Sequence, residues 1–184
     1  MIIVWIILGL IILILLLGIS IYNGLVKKKN NVKEAWSSID VFLKKRNDII
    51  PNLVEVVKGY ASHESVTLQK VIEARNNCSN AKSAGELGSA EKTMQGAMMN
   101  LFAVSENYPD LKANSNFLSL QQELSSIEDE IEMSRRYYNG VVKENNDAIE
   151  TFPSNLIANM FKFSAADFFE IQNDSEREAV KVKF

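Results

Sequence analysis

The chain has 184 residues, 47% hydrophobic and 23% charged, with a formal net charge of −3, one Cys and one His. A single Cys excludes an intramolecular disulfide framework and Cys-based zinc sites, and the acidic balance argues against a general nucleic-acid binder. The length suits one ordinary domain, and the composition is neither disordered-like nor collagen-like.

Residues 1–22 are Ile, Leu, Val, Trp and Gly, apart from Met1, Tyr22 and the one clearly polar side chain, Ser20, and no charged side chain precedes Lys27. About 20 apolar residues in a helix cross the hydrocarbon core of a bilayer. Trp5 and Tyr22 lie about 26 Å apart along such a helix, matching the two interfacial aromatic belts. No basic residue precedes the run and no Ala-x-Ala or Cys follows it, so a retained anchor is expected rather than a cleaved signal peptide or a lipoprotein signal. Lys27, Lys28, Lys29, Lys33, Lys44, Lys45 and Arg46 all follow the span. The positive-inside rule then puts the N-terminus outside and the remainder in the cytoplasm. Lys27, Lys28 and Lys29 would lie among anionic headgroups.

The next stretch carries a seam at alternating four- and three-residue spacing. It runs Val32, Trp36, Ile39, Leu43, Arg46, Ile50, Leu53, Val57, Tyr60, Glu64, Thr67, Val71, Ala74 and Cys78. A second apolar set (Val41, Phe42, Ile49, Val54 and Val56) widens the stripe, which favours a globular bundle over a lone two-stranded coiled coil. The seam keeps register across Pro51, which predicts one helix over about 24–79, kinked near Ile50. The alternative is a break there, with Pro51 opening a new helix. Asn23-Gly24 is a weak point at the membrane surface.

Turn residues cluster over 76–88. A second helix is expected over about 86–107, with Leu87, Ala90, Met94, Ala97, Leu101, Val104 and Tyr108 on one face; Met94, Met98 and Met99 read as core filler. Tyr108-Pro109-Asp110 ends it. A third helix is expected over about 115–151 and a short fourth over 154–163, capped by Ser154. Phe161, Phe163, Phe168 and Phe169 read as a strap on the bundle end, with contact to the membrane or a partner as the alternative. Residues 173–184 are mostly charged, and a frayed end is expected there. The predicted fold is all-α: a transmembrane helix (1–22), an up-and-down antiparallel bundle of three long helices plus a short fourth (23–163), and a partly disordered tail (164–184). Residues 27–60 carry net +4 and residues 117–151 net −5, so the first and third helices suit each other as neighbours.

No motif specifies a reaction. His63-Glu64 lacks the second His of a zincin, and position 60 is Tyr where a di-iron bundle needs Glu. Gly85 and Gly88 sit in no phosphate-binding pattern. Cys78 falls on the seam as a buried structural thiol. Glu128, Asp129, Glu130 and Glu132 read as a solvated acidic face rather than a cation site. Arg135-Arg136-Tyr137-Tyr138 mixes packed and exposed edges and is a possible contact site. Arg46 is the most informative position, because a buried Arg requires a carboxylate. The candidates are Asp48 or Glu55 locally, or the acidic helix around Glu128 and Glu132; otherwise the side chain snorkels out of the stripe.

A set of local patterns then matches a known family. Tyr22-Asn23-Gly24-Leu25-Val26, Val32-Lys33-Glu34-Ala35-Trp36-Ser37-Ser38-Ile39-Asp40-Val41 and Leu43-Lys44-Lys45-Arg46-Asn47-Asp48-Ile49-Ile50-Pro51-Asn52-Leu53-Val54-Glu55 resemble the opening of the LemA family. Lys58-Gly59-Tyr60-Ala61, His63-Glu64, Glu73-Ala74-Arg75 and Tyr108-Pro109-Asp110-Leu111-Lys112-Ala113 continue the resemblance. So do Asn116-Phe117, Arg135-Arg136-Tyr137-Tyr138-Asn139 and Phe152-Pro153-Ser154-Asn155-Leu156-Ile157-Ala158. The chain departs from the family at Lys29 and Lys45, where Arg is more usual, at Phe42, where Gln is more usual, and at Lys162, where Gly is more usual. The resemblance implies a bacterial-type protein with one N-terminal span, an outside N-terminus, a cytoplasmic helical bundle and no established enzymatic activity.

The resulting expectation is a non-enzymatic, membrane-anchored scaffold or adaptor with no cofactor, metal, nucleic acid or small-molecule substrate. It would have a protein partner and room for homo-oligomerisation. Arg46, Asp48, Pro51, Asn52 and Glu55 are the expected constrained polar site. Arg135, Tyr138, Asn139, Phe161 and Phe163 are further interaction candidates, and Trp5, Tyr22, Lys27, Lys28 and Lys29 are the membrane contacts. The alternatives are a self-associating regulator of membrane stress or of a peptidase, and an enzyme or metal protein using the acidic cluster.

Overall fold

The fold is that of a computed structural model, which describes residues 1–81 and 83–169. Expectations for the end of the tail lie outside the described residues. All regular structure among these residues is helical: α1 (Ile2–Tyr60), α2 (Ser65–Asn80), α3 (Ala84–Ser105), α4 (Pro109–Lys112), α5 (Ser115–Glu150) and α6 (Ser154–Met160).

α1 begins with a run long and apolar enough to cross a membrane, exposed along its length. It passes through Asn23-Gly24 without the irregularity expected there and continues past Pro51. It stops ten residues later than the kink site, at Tyr60, so the single helix over 24–79 does not form. Ala61 becomes a fully buried corner, its N–H donating to the Val57 carbonyl at 2.8 Å. Beyond this turn the expected seam is kept at Val71, Ala74 and Cys78, which α2 buries together with Leu68, leaving Thr67 half-buried. α2 folds back on α1, since Asn47 Nδ2 donates to Ser79 Oγ at 3.0 Å and Arg75 Nε donates to the Asn47 carbonyl at 2.7 Å.

The remaining ends are capped locally. Ser83 Oγ accepts from the Glu86 N–H at 3.2 Å and starts α3. Pro109 opens α4, whose one buried side chain is Leu111. Asn114 Oδ1 accepts from the Phe117 N–H at 3.0 Å at the start of α5. Ser154 does not cap α6: the cap position is Pro153, and the Ser154 hydroxyl donates to the Thr151 carbonyl instead. α6 ends at Met160 rather than Phe163, and Lys162 follows in the left-handed region at φ 56°.

The chain divides into two compact units whose boundaries fall inside α1 and α5. In the unit formed by Met1–Ser38 and Arg136–Phe168, α1 and α5 run antiparallel. Lys28 pairs with Glu144 at 3.2 Å and the rings of Trp36 and Tyr138 meet at 5.5 Å. The segment after α6 is strapped to α5 in this unit. Tyr138 donates to the Asp167 carbonyl at 2.9 Å, and the Asn146 amide brackets the backbone of Ala166 with two bonds of 2.9 Å. The other unit contains Ile39–Arg135, with a core that includes Ile50, Leu53, Met94, Leu101, Phe117 and Ile131. There too α1 and α5 are antiparallel, joined by Arg46 with Glu128 and by Tyr60 with Asn114.

Candidate functional site

The strongest concentration of chemistry is a charge cluster inside the second unit. Arg46 on α1 is completely buried, although arginine loses strong hydration there. Its guanidinium engages both oxygens of Glu91 on α3: Nη1 donates to Oε2 at 2.8 Å, and Nη2 to Oε1. Nη1 also reaches Glu128 on α5 at 3.3 Å. Arg135, about two turns further along α5, donates to Glu91 Oε2. Glu91 therefore neutralises two arginines from two helices while its own side chain is only 4% exposed. The Nε atoms of Arg46 and Arg135 are buried with no hydrogen-bond partner among the described residues.

Opposing forces set the ionisation of this cluster. Burial alone would push the Glu91 carboxyl up. The hydrogen bonds and charge of Arg46, with the charge of Arg135, outweigh burial and hold it below the ordinary carboxylate value. Burial likewise disfavours the Arg46 cation, and its bonds to Glu91 and the charges of Glu91 and Glu128 overcome that, so it stays protonated. Cys78 lies beside Glu91. Burial, then the Glu91 charge, pushes its thiol up to about 12, which leaves it protonated and a poor nucleophile at neutral pH.

A groove of about 480 Å³ adjoins the cluster between α3 and α5. Met98, Met99, Phe102 and Leu124 form its apolar lining, with Glu128 and Asp129 on its wall. Met94 and Met98 are buried, as core filler should be, whereas Met99 is exposed.

The sequence-derived site is only partly assembled. Arg46 is buried and paired: Glu128 of the acidic helix, one of the expected candidates, is a partner, Glu91 is another, and Asp48 and Glu55 are not. Asp48, Asn52 and Glu55 are exposed because they fall on the solvent side of α1, where Glu55 meets Lys58 at 3.5 Å. Pro51 is half-buried. Arg135 joins the cluster, and its guanidinium also lies 4.7 Å from the Phe169 ring centre. Tyr138 and the half-buried Asn139 belong to the other unit. Phe161 and Phe163 pack on Tyr22, with ring centres at 4.7 and 5.8 Å. Trp5 and Lys27 are exposed, Lys28 pairs with Glu144, and Lys29 lies over Phe163. Sequence reasoning missed Glu91. A signal existed: Ala84, Leu87, Glu91, Met94, Met98, Leu101 and Ser105 alternate at three and four, placing Glu91 on the buried seam of α3.

Comparison with known proteins adds the following. The LemA family pattern matches residues 35–184. The LemA protein of Metamycoplasma hominis is 31% identical over 163 residues, covering 83% of this chain and 73% of the relative. Magnetosome protein MamQ 2 of Paramagnetospirillum magneticum is 23% identical, covering 81% of this chain. MamQ of Magnetospirillum gryphiswaldense is 22% identical, covering 80%. The chain spans 64% of the length of these two magnetosome relatives.

Proposed function

The chain belongs to the LemA family, and on that premise we propose that it is a non-enzymatic scaffold or adaptor held at the cytoplasmic membrane by residues 1–22. The N-terminus is outside, and the soluble part is an up-and-down antiparallel bundle in the cytoplasm. One observation carries the reading: a fully exposed apolar segment runs without a break into a bundle whose buried charges are spent on one another. Arg46 and Glu91 fix helix register across α1, α3 and α5, which is a specificity role. The seven basic residues within positions 27–46, directly after the span, support the orientation.

Two measurements test this. With Cys78→Ala and Ser126→Cys, an impermeant thiol reagent should leave intact cells unlabelled and label the protein after lysis; labelling of intact cells refutes the orientation. Ser126 suits the purpose because it is exposed on α5. For the adaptor role, the full chain extracted in mild detergent should carry a stoichiometric, chemically distinct protein in native mass spectrometry. Multiples of 20.7 kDa alone would favour the self-associating regulator, and a bare monomer would count against both.

A further inference from the structure

Residues 151–161 carry no charged side chain, and of the apolar members of this stretch only Ala158 is buried in the core. Leu156 and Met160 lie four residues apart on α6 and are 60% and 65% exposed, and Phe152, in the turn just before α6, is 79% exposed. Phe161 extends the patch at 52%. In water, such a contiguous apolar face is costly for a helix of this size. Its location supplies the reason for it. On the inner side of α6, Ile157 approaches α1 so closely that a Cβ at Gly18 would lie 3.9 Å from Ile157 Cδ1. One turn further along α1, Tyr22 stacks against Phe161 and Phe163. Gly18 and Tyr22 are the last turn of the apolar run, so α6 sits at the depth where the span leaves the hydrocarbon. Two lysines adjoin the patch: Lys29 above the Phe163 ring at 5.9 Å, and Lys162 directly after Phe161.

Resting on the membrane-anchored reading, we infer that α6 is a second membrane contact: a short helix lying in the headgroup–acyl boundary beside the span, with Phe152, Leu156, Met160 and Phe161 in the lipid. A helix with one apolar face and flanking cations takes this position, burying its apolar side about 5–10 Å below the headgroups. Lysine stems flanking such a helix reach back to the phosphates. The occupant of the exposed face is lipid of the same bilayer that residues 1–22 cross. The contact would fix the tilt of α1 where it leaves the membrane, since α6 is tied to α1 at Gly18 and Tyr22.

The test uses full-length protein reconstituted in phosphatidylcholine vesicles, with Cys78→Ala and a single environment-sensitive fluorophore on a new Cys. Met160→Cys and Phe152→Cys report α6, and Leu16→Cys reports the span. Gly140→Cys, where a Cβ meets nothing within 4 Å, reports α5 in the same unit. A nitroxide on the lipid acyl chain close to the headgroup should quench positions 160 and 152 severalfold more than position 140, with emission shifted to shorter wavelength. Quenching at 16 with water-like emission at 160 and 152 overturns the inference and leaves the anchor standing. Shifted emission at 160 without lipid quenching also overturns it, since protein would then cover the face. No quenching at 16, with a nitroxide at matching depth, means that the anchor reading itself fails.

Discussion

Arg75 Nε donates to the carbonyl of Asn47 at 2.7 Å, and that carbonyl is the one Pro51 leaves without its helical partner. In an uninterrupted helix the N–H of residue 51 would bond to the oxygen of residue 47, but proline has no N–H. The vacancy does not kink α1 into a second element. It offers an acceptor on the inner surface of α1, and α2 docks on it through Arg75. The proline thus acts as a docking point for the returning helix.

Replacing Arg75 with Met should therefore destabilise the fold by about 1–2 kcal/mol, the cost of an orphaned, partly buried carbonyl. In a Pro51→Ala background the restored N–H takes the same carbonyl, so the cost of Arg75→Met should fall to a few tenths of a kcal/mol. Denaturant unfolding of the four proteins of this cycle measures the coupling. Additive effects would show that the Arg75 bond has no connection to Pro51.

The charge cluster predicts an asymmetry between its two buried members. Arg46→Met leaves Glu91 still held by Arg135, whereas Glu91→Leu strands two arginines, one of which retains only the Glu128 side chain, itself 36% exposed. Removing one partner of a buried pair costs about 3–5 kcal/mol. Glu91→Leu should reach that range or fail to fold in isolation, and Arg46→Met should cost clearly less. The double variant Arg46→Met/Glu91→Leu should recover part of the loss, because only Arg135 is then left without its carboxylate. Equal costs for the two single variants would mean that Arg135 contributes nothing.

Acid should expose the same cluster through linkage. The folded Glu91 carboxyl is held below its ordinary value of 4.5, burial being outweighed by Arg46 and Arg135. A carboxyl lowered on folding contributes stability that is complete above its unfolded value and lost as pH falls through its folded value. The stability gap between the wild-type chain and Glu91→Gln should be constant from pH 7 to about 5 and close below pH 4.5. Unfolding midpoints measured across that range decide it. A gap that widens in acid would mean that burial wins and the carboxyl is raised.

These relationships mark where sequence reasoning runs out. The apolar N-terminal helix, the helices at 84–105 and 115–150 and the need of Arg46 for a carboxylate are all legible from period and charge. Glu128 as a candidate partner is legible from the acidic helix, but Glu91 is not, because Ala90 and Glu91 both fit a three–four pattern and a one-residue slip turns a helix by about 100°. The corner at Ala61 has no Pro and no cluster of turn residues, and the seam reads smoothly through it. Only the buried packing of Ala61 and Leu68 on the two sides of the turn reveals the reversal. At Pro51 local rules allow a continued helix with a kink or a break; the helix continues, and the acceptor left open is taken by Arg75, 24 positions away, which local rules cannot see.

Lys162 provides a last case in which backbone and sequence disagree. The N–H of Phe163 donates to the Ala158 carbonyl at 2.9 Å and that of Lys162 to the Asn159 carbonyl at 3.3 Å. This is the paired pattern of a helix ended by a left-handed residue, and Lys162 occupies that position at φ 56°. Glycine fits there without a Cβ clash, and a side-chain-bearing residue pays roughly 1–2 kcal/mol. The greater freedom of glycine in the unfolded chain takes back about 0.4–1 kcal/mol. Lys162→Gly should accordingly stabilise the end of α6 by about 0.5–1 kcal/mol net, read as slower hydrogen exchange at the amides of Lys162 and Phe163. Lys162→Ala removes the same charge but keeps the Cβ, so it should give none of this protection. If Ala and Gly protected the amides equally, the lysine charge and not the backbone would be what strains the cap.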